Sequence, residues 1–171
     1  MTTTSDPAFA ATEPVELVRA LFETLNQRDL DTLWEYWADD IVNYWPFATF
    51  RGRAEVRGYF EELFAAVPDC QIHVEKIAGD GDTVFVRWRL KGTATGQPWR
   101  GIEGNGTRLE IHGVDCFTVR NGKVVQNIIV FDQLSFARKI GLLPPEGSFG
   151  DQLGLKLYNL RARLKKQLRR R

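Results

Sequence analysis

Asp115 is the residue around which chemistry would gather. It lies in the run Leu109-Glu110-Ile111-His112-Gly113-Val114-Asp115-Cys116-Phe117, whose apolar content and alternation read as a strand. Residues two apart share a face. Leu109, Ile111, Gly113, Asp115 and Phe117 therefore point one way, and Arg108, Glu110, His112, Val114 and Cys116 the other. The companions of Asp115 are the more apolar, so its face is expected to be interior. A carboxyl held there is costly to ionise, and its pKa should rise. A carboxyl titrating nearer neutrality suits general acid/base work. The structural alternative is that Asp115 caps an amide or pairs with an arginine. His73 and His112 are the two histidines. They have no nearby acid cluster and make no metal site, and His112 is expected on the sheet surface.

What faces Asp115 depends on the turn that follows. Asn121-Gly122 fits a two-residue type I′ turn or a three-residue loop, Arg120-Asn121-Gly122, with a left-handed glycine. The three-residue form is expected, and it sets Asn127 opposite Asp115 with Val125, Ile129 and Phe131 alongside. Asn127 could bond an enolate oxygen or Asp115 itself. Tyr44, alternating with Val42 and Pro46, could aim its hydroxyl at a substrate carbonyl or plug the fold. Trp37, Trp45, Phe60, Trp88, Phe117, Ile129 and Phe131 are the candidate apolar lining for a small or flat polycyclic molecule. Asp132, where strand gives way to helix, is explained by an N-cap role.

These residues need elements to position them. Three- and four-residue steps of apolar residues predict helices over 13–28, from Asp29 to Asp39-Asp40, and over 54–67. Strands are expected over 41–46, 70–77, 83–91, 107–119 and 123–132, with Arg51-Gly52-Arg53 as a turn and a Gly-rich connector between Gly92 and Gly106. A short helix opened by Asp132 stops at Gly141. A last one, from about Gly154 to Arg169, carries Leu153, Leu157, Leu160, Leu164 and Leu168 beside Arg and Lys. Helices followed by a meander of strands is an α+β arrangement. A curved antiparallel sheet forming a cone around a pocket, with N-terminal helices packed on it, is the expected fold. The expected organisation is a disordered tail at 1–12, a cone domain at 13–145 and a basic amphipathic helix at 146–171.

Composition narrows the classes. The chain has 171 residues, 43% apolar, with formal charge +1, five Trp and eleven Phe. Residues 1–150 carry 15 Lys/Arg against 21 Asp/Glu, a balance of −6, and residues 151–171 carry 8 against 1, a balance of +7. An acidic body and a basic tail are thus hidden in a near-neutral total. The tail's leucines are expected to pack on the body or on a second subunit. An anionic membrane surface is the alternative, and no specific nucleic-acid binding is expected. Cys70 and Cys116 form no disulfide framework. No basic, apolar leader is visible and no apolar window spans a bilayer, so a cytoplasmic protein is expected. Val114, Cys116, Val124, Ile128 and Val130 make the sheet's other face apolar too. A face of that kind needs a cover, and a homodimer packed sheet on sheet supplies it.

The order of Leu17-Val18-Arg19-Ala20-Leu21-Phe22, Asp39-Asp40, Arg51-Gly52-Arg53, Gly92-Thr93-Ala94-Thr95-Gly96, Gly113-Val114-Asp115-Cys116-Phe117, Gly122-Lys123-Val124-Val125 and Phe131-Asp132-Gln133-Leu134 resembles the SnoaL-like polyketide cyclases. These sit within the superfamily shaped like nuclear transport factor two. The resemblance covers roughly residues 13–145. It implies a cone around a deep pocket, homo-oligomers, catalysis without metal or organic cofactor, and ring closure by an intramolecular aldol step. The family's last strand often reads Glu-His-Trp-Asp, with the acid as base, where this chain has Gln126-Asn127-Ile128-Ile129. Asp115 falls where cyclases carry an assisting histidine.

Two functions follow as expectations. One is a cofactor-independent enzyme that moves a proton next to a carbonyl of an apolar substrate, leading to cyclisation, isomerisation or dehydration. Asp115 would be base or acid, with Tyr44 and Asn127 orienting the oxygen. The other is a non-catalytic binding or scaffold protein of the same fold. A limonene-type epoxide hydrolase is a weaker alternative, because Arg87 and Arg89 lack a neighbouring acid in their strand.

Overall fold

The computed structural model describes residues 13–168. The expected tail at 1–12 and the terminal Arg169-Arg170-Arg171 lie outside the described residues. Packing divides the chain into two units after Asp132, earlier than the expected boundary at 145.

In the first unit, α1 (Pro14–Gln27) buries Leu17, Val18, Leu21, Phe22 and Leu25, the stripe that its spacing predicts. It ends where Arg28 turns left-handed, at φ 60°, and returns its N–H to Leu25. Asp29 caps α2 (Leu30–Tyr36), accepting the Thr32 N–H at 3.0 Å. The helix stops at Tyr36, so Asp39-Asp40 does not end it. Trp37 is already extended and pairs with Val124, and β1 runs Trp37–Trp45. A short β2 (Ala48–Arg51), absent from the sequence reading, folds back on β1 around Pro46-Phe47. α3 (Gly52–Ala66) then buries Val56, Tyr59, Phe60 and Leu63.

The remaining strands are β3 (Gln71–Asp80), β4 (Thr83–Thr93), β5 (Arg108–Arg120) and β6 (Lys123–Phe131). The six-stranded curved sheet has the order β2-β1-β6-β5-β4-β3, antiparallel except for the parallel β1–β6 pair. The glycine connector between β4 and β5 sends the Gly96 and Gln97 N–H groups to the Ala66 and Ala65 carbonyls, satisfying the open end of α3. Residues 84, 86, 88 and 90 of β4 and 109, 113, 115, 117 and 119 of β5 are buried. Phe22 of α1 meets Phe117 of β5 edge-on at 6.0 Å, so this is the face that the helices cover.

The turn after β5 differs from expectation. Arg120 pairs directly with Lys123, and Asn121 and Gly122 have φ of 51° and 70°. That is a two-residue type I′ turn. Alone it would put Asn127 on the face opposite to Asp115. A bulge restores the parity: the register steps between Thr118 and Val119, leaving Val125 as the extra residue. Phe117 therefore pairs with Asn127, and Asp115 with Ile129. The same bulge buries Val124, expected outside, completely.

The second unit holds α4 (Gln133–Lys139) and α5 (Phe149–Leu168), the latter beginning five residues before its expected start. Among the described residues no helix is long and apolar enough to cross a membrane.

Candidate active site

Asp115 is 7% exposed and lies directly across from Ile129, itself 2% exposed. The Trp88 indole N–H donates to its Oδ1 at 2.7 Å, and the Asn127 Nδ2 donates to its Oδ2 at 2.9 Å. No Lys or Arg pairs with it among the described residues. Burial pushes its carboxyl up to about 6, against the two hydrogen bonds, which pull it down. The outcome is a lone, oriented carboxyl able to change charge near neutral pH.

Local sequence makes this geometry. Trp88 is paired with Gly113, two residues before Asp115 on the same face. A Cβ at position 113 would stand 2.2 Å from the Trp88 ring, closer than any real contact. Gly113 thus lets the indole lie across β5 and deliver its N–H to the carboxylate.

Other expected site residues divide into those brought near and those left out. Trp45 and Phe131 share an aromatic cluster with Tyr59, the Trp45 ring 4.3 Å from Tyr59 and 6.4 Å from Phe131. Phe117 is buried two residues from Asp115 on its face. Trp37 and Phe60 stack on each other at 5.8 Å. Tyr44 is not brought to Asp115: it pairs with Ile128, which pairs with Cys116, on the outer face. The even positions of β1 face out because the odd ones, Ile41 and Asn43, are the buried set.

Two residues that the sequence reading passed over take the place of Tyr44. Tyr59, read only as core, is 5% exposed. Burial first, then nearby charges that include Asp115, hold that hydroxyl well above its ordinary pKa, so it remains a proton donor. Asn43, 3% exposed, pairs in register with Asn127 on the inner face. Oδ1 of Asn43, Oδ1 of Asn127 and Nε1 of Trp45 are buried without a hydrogen-bond partner among the described residues. Each such group costs a fold about 1–3 kcal/mol.

The outer face is different. Arg87 and Arg89 both pair with Glu75, at 3.1 and 3.4 Å, and His112 is solvent-exposed beside Glu110. The arginines of the epoxide-hydrolase alternative therefore point away from Asp115. A groove of about 470 Å³ lies elsewhere, lined by Asp31, Trp34, Glu35 and Arg57. Its arginine is already held by Asp31 and Glu61, which leaves it without free chemistry. Among the described residues no group of three or more His, Cys, Asp or Glu is gathered as a metal ion would need.

Residues 18–127 match the SnoaL-like domain. AclR from Streptomyces galilaeus, named as a candidate hydroxylase, is 27% identical with a TM-score of 0.68, over 77% of this chain and 97% of its own. A candidate SnoaL-like polyketide cyclase from Jannaschia sp. CCS1 is 25% identical with a TM-score of 0.71, over 82% and 99%. IdmH from Streptomyces antibioticus, a candidate polyketide cyclase, is 26% identical with a TM-score of 0.65, over 76% and 99%. No curated protein matches the chain.

Proposed function

The chain belongs to the SnoaL-like domain family, and on that premise we propose that it is a general acid/base enzyme acting next to a carbonyl of an apolar substrate. The observation that carries this is the buried, uncompensated Asp115 carboxyl, aimed by two neutral N–H donors. As base, it takes a proton from the carbon beside the carbonyl. The electron pair moves to the oxygen, where the Tyr59 hydroxyl and the Trp45 indole N–H are the donors at hand. In a cyclisation the enolate carbon attacks a second carbonyl, and protonated Asp115 returns its proton to the new alkoxide. Isomerisation or dehydration would use the same two proton transfers. The carboxyl's position near 6 suits both directions at neutral pH.

A test needs no knowledge of the natural substrate. In D2O, the protein should speed exchange of the hydrogens beside the carbonyl of 1-tetralone, followed by NMR. Asp115→Asn should lower the catalysed rate about 10²–10⁴-fold with the fold intact by circular dichroism. A rate untouched by this change would remove Asp115 from the chemistry.

The second reading is a non-catalytic binding protein. Ile129 favours it: this apolar side chain faces Asp115 where the family often has an acid, leaving one carboxyl on the inner face. No acceleration of exchange by the unaltered protein would decide for it. In either case a homodimer is proposed through Phe85, Val114, Ile128 and Val130, exposed together on the outer face. A monomeric mass by light scattering at micromolar concentration would remove that proposal.

A further inference from the structure

α5 (Phe149–Leu168) lies beyond residues 18–127, the stretch that matches the SnoaL-like domain, and the proton chemistry gives it no task. At about 100° per residue, Phe149, Leu153, Leu157, Leu160 and Leu164 fall in one stripe about 80° wide and about 22 Å long. All five side chains are exposed. A continuous exposed apolar row of this kind marks a contact surface. Leu155 stands on the opposite side and takes no part.

Charge names the partner. α5 holds five cations, Lys156, Arg161, Arg163, Lys165 and Lys166, against one acid, Asp151. Asp151 is already engaged: it pairs with Arg138 at 3.4 Å and accepts the Gly147 N–H at 3.1 Å. Among the described residues no carboxylate pairs with any of the five cations. Lys156 and Arg163 border the apolar row on one side, and Arg161 borders it on the other with Lys165 beyond. Their long stems can lie along an apolar layer while their charges reach anions at its edge. A second copy of α5 fits poorly, because pairing row to row would set these cations against each other. A nucleic acid needs the cations but has no use for the leucines. We propose that α5 lies in the interface of an anionic lipid bilayer, with its apolar row toward the acyl chains and its cations among the lipid phosphates. The helix is too polar to cross the bilayer, and the sequence continues with Arg169-Arg170-Arg171, which add to the same charge.

The probe is the full chain mixed with unilamellar vesicles, either of pure phosphatidylcholine or with one lipid in three replaced by phosphatidylglycerol, and followed by co-sedimentation. Binding to the anionic vesicles should be tighter by about tenfold or more, and should weaken at high salt. Arg161→Gln combined with Arg163→Gln should weaken it by about tenfold or more. Leu157→Glu combined with Leu160→Glu should abolish it. Both variants change exposed side chains only, so the melting temperature should hold. Should the leucine variant lose its helix by circular dichroism, Leu160→Ala replaces it and should weaken binding severalfold. Equal binding to both kinds of vesicle, binding to neither, or leucine variants that bind like the natural chain would overturn the proposal, the last because charge attraction alone would then be at work. A doubled mass in light scattering that the leucine change abolishes, with no vesicle binding, would overturn it in favour of a second copy.

Discussion

On the outer face of β3 to β5, Glu75 sits between Arg87 and Arg89, and Glu110 joins Arg89 at 3.4 Å, all at least partly exposed to water. On the inner face of the same strands stands a single carboxyl with neutral N–H groups for company. Arg87, Arg89 and Glu110 alternate with the buried positions of β4 and β5, so the pleat turns them away from Asp115, and Glu75 joins them from the bulge in β3. Outside, each charge has an opposite partner and contact with water. Inside, loss of water dominates and Asp115 moves toward neutrality. The difference teaches where proton chemistry can reside: at the charge that has been left without a partner.

The sharpest way to break this comparison is a pH–rate profile of ketone hydrogen exchange. If Asp115 is the base, the rate should rise through an apparent pKa near 6 and level off above it. Asp115→Asn should abolish this rise together with about 10²–10⁴ of the rate. Glu110→Gln, five residues away on the outer face, should leave both rate and profile unchanged. A profile controlled by Glu110 would invert the assignment of the faces.

Stability gives a second, smaller difference. The folded pKa of Asp115 lies above the ordinary carboxylate value, so the fold prefers the protonated form. That stabilisation is complete below about pH 4 and is lost as pH rises through about 6. A shift of roughly two units corresponds to about 3 kcal/mol at most. Asp115→Asn cannot ionise and should be more stable than the natural chain by about 1–3 kcal/mol at pH 7.5. The two should converge near pH 4 in urea titrations. A gap that does not change with pH would mean that the carboxyl is not the titrating group.

Much of this was legible in the residues. Period-two alternation in 109–117 put Asp115 inside, and three- and four-residue steps located α1 and α3. The shared face of Asp115 and Asn127 was also inferred, but for a different reason: a three-residue loop was expected, and a type I′ turn followed by a bulge restores the same parity. Two local choices that each shift the register by one residue cancel, and alternation cannot see either. Tyr44 was misplaced because both alternating sets of β1 contain an aromatic ring, so the pattern names no inner face. Asn43 was missed for the same reason. Tyr59 was taken as core because helical spacing reports burial of the ring and says nothing of the hydroxyl at its end. β2 is four residues long, too short for any period to register.

Gly113 sharpens the comparison at the backbone. Gly113→Ala places a methyl 2.2 Å from the Trp88 ring, so the indole must move and its N–H leaves Asp115. Overpacking of this kind costs about 1–3 kcal/mol. The donor that favoured the charged form is also lost, so the apparent pKa in the exchange profile should climb above its natural value. An unchanged profile with a lowered melting temperature would show that Gly113 serves packing alone.

The smallest expected effect belongs to the outer face and serves as the control. Glu75→Gln removes the acid shared by Arg87 and Arg89 and leaves the two guanidinium groups as neighbours. In a buried site that would be severe. Here the Arg87 side chain is 58% exposed and that of Arg89 35%, and Arg89 retains Glu110. Water screens what remains, and exposed pairs contribute about 0–1 kcal/mol. The midpoint of urea unfolding should therefore shift slightly, less so at high salt, and the ketone exchange rate should not move. A loss of several kcal/mol, or a fall in rate comparable to that of Asp115→Asn, would mean that the charges on the two faces are coupled through the sheet, and that the solitude of Asp115 is not what sets its behaviour.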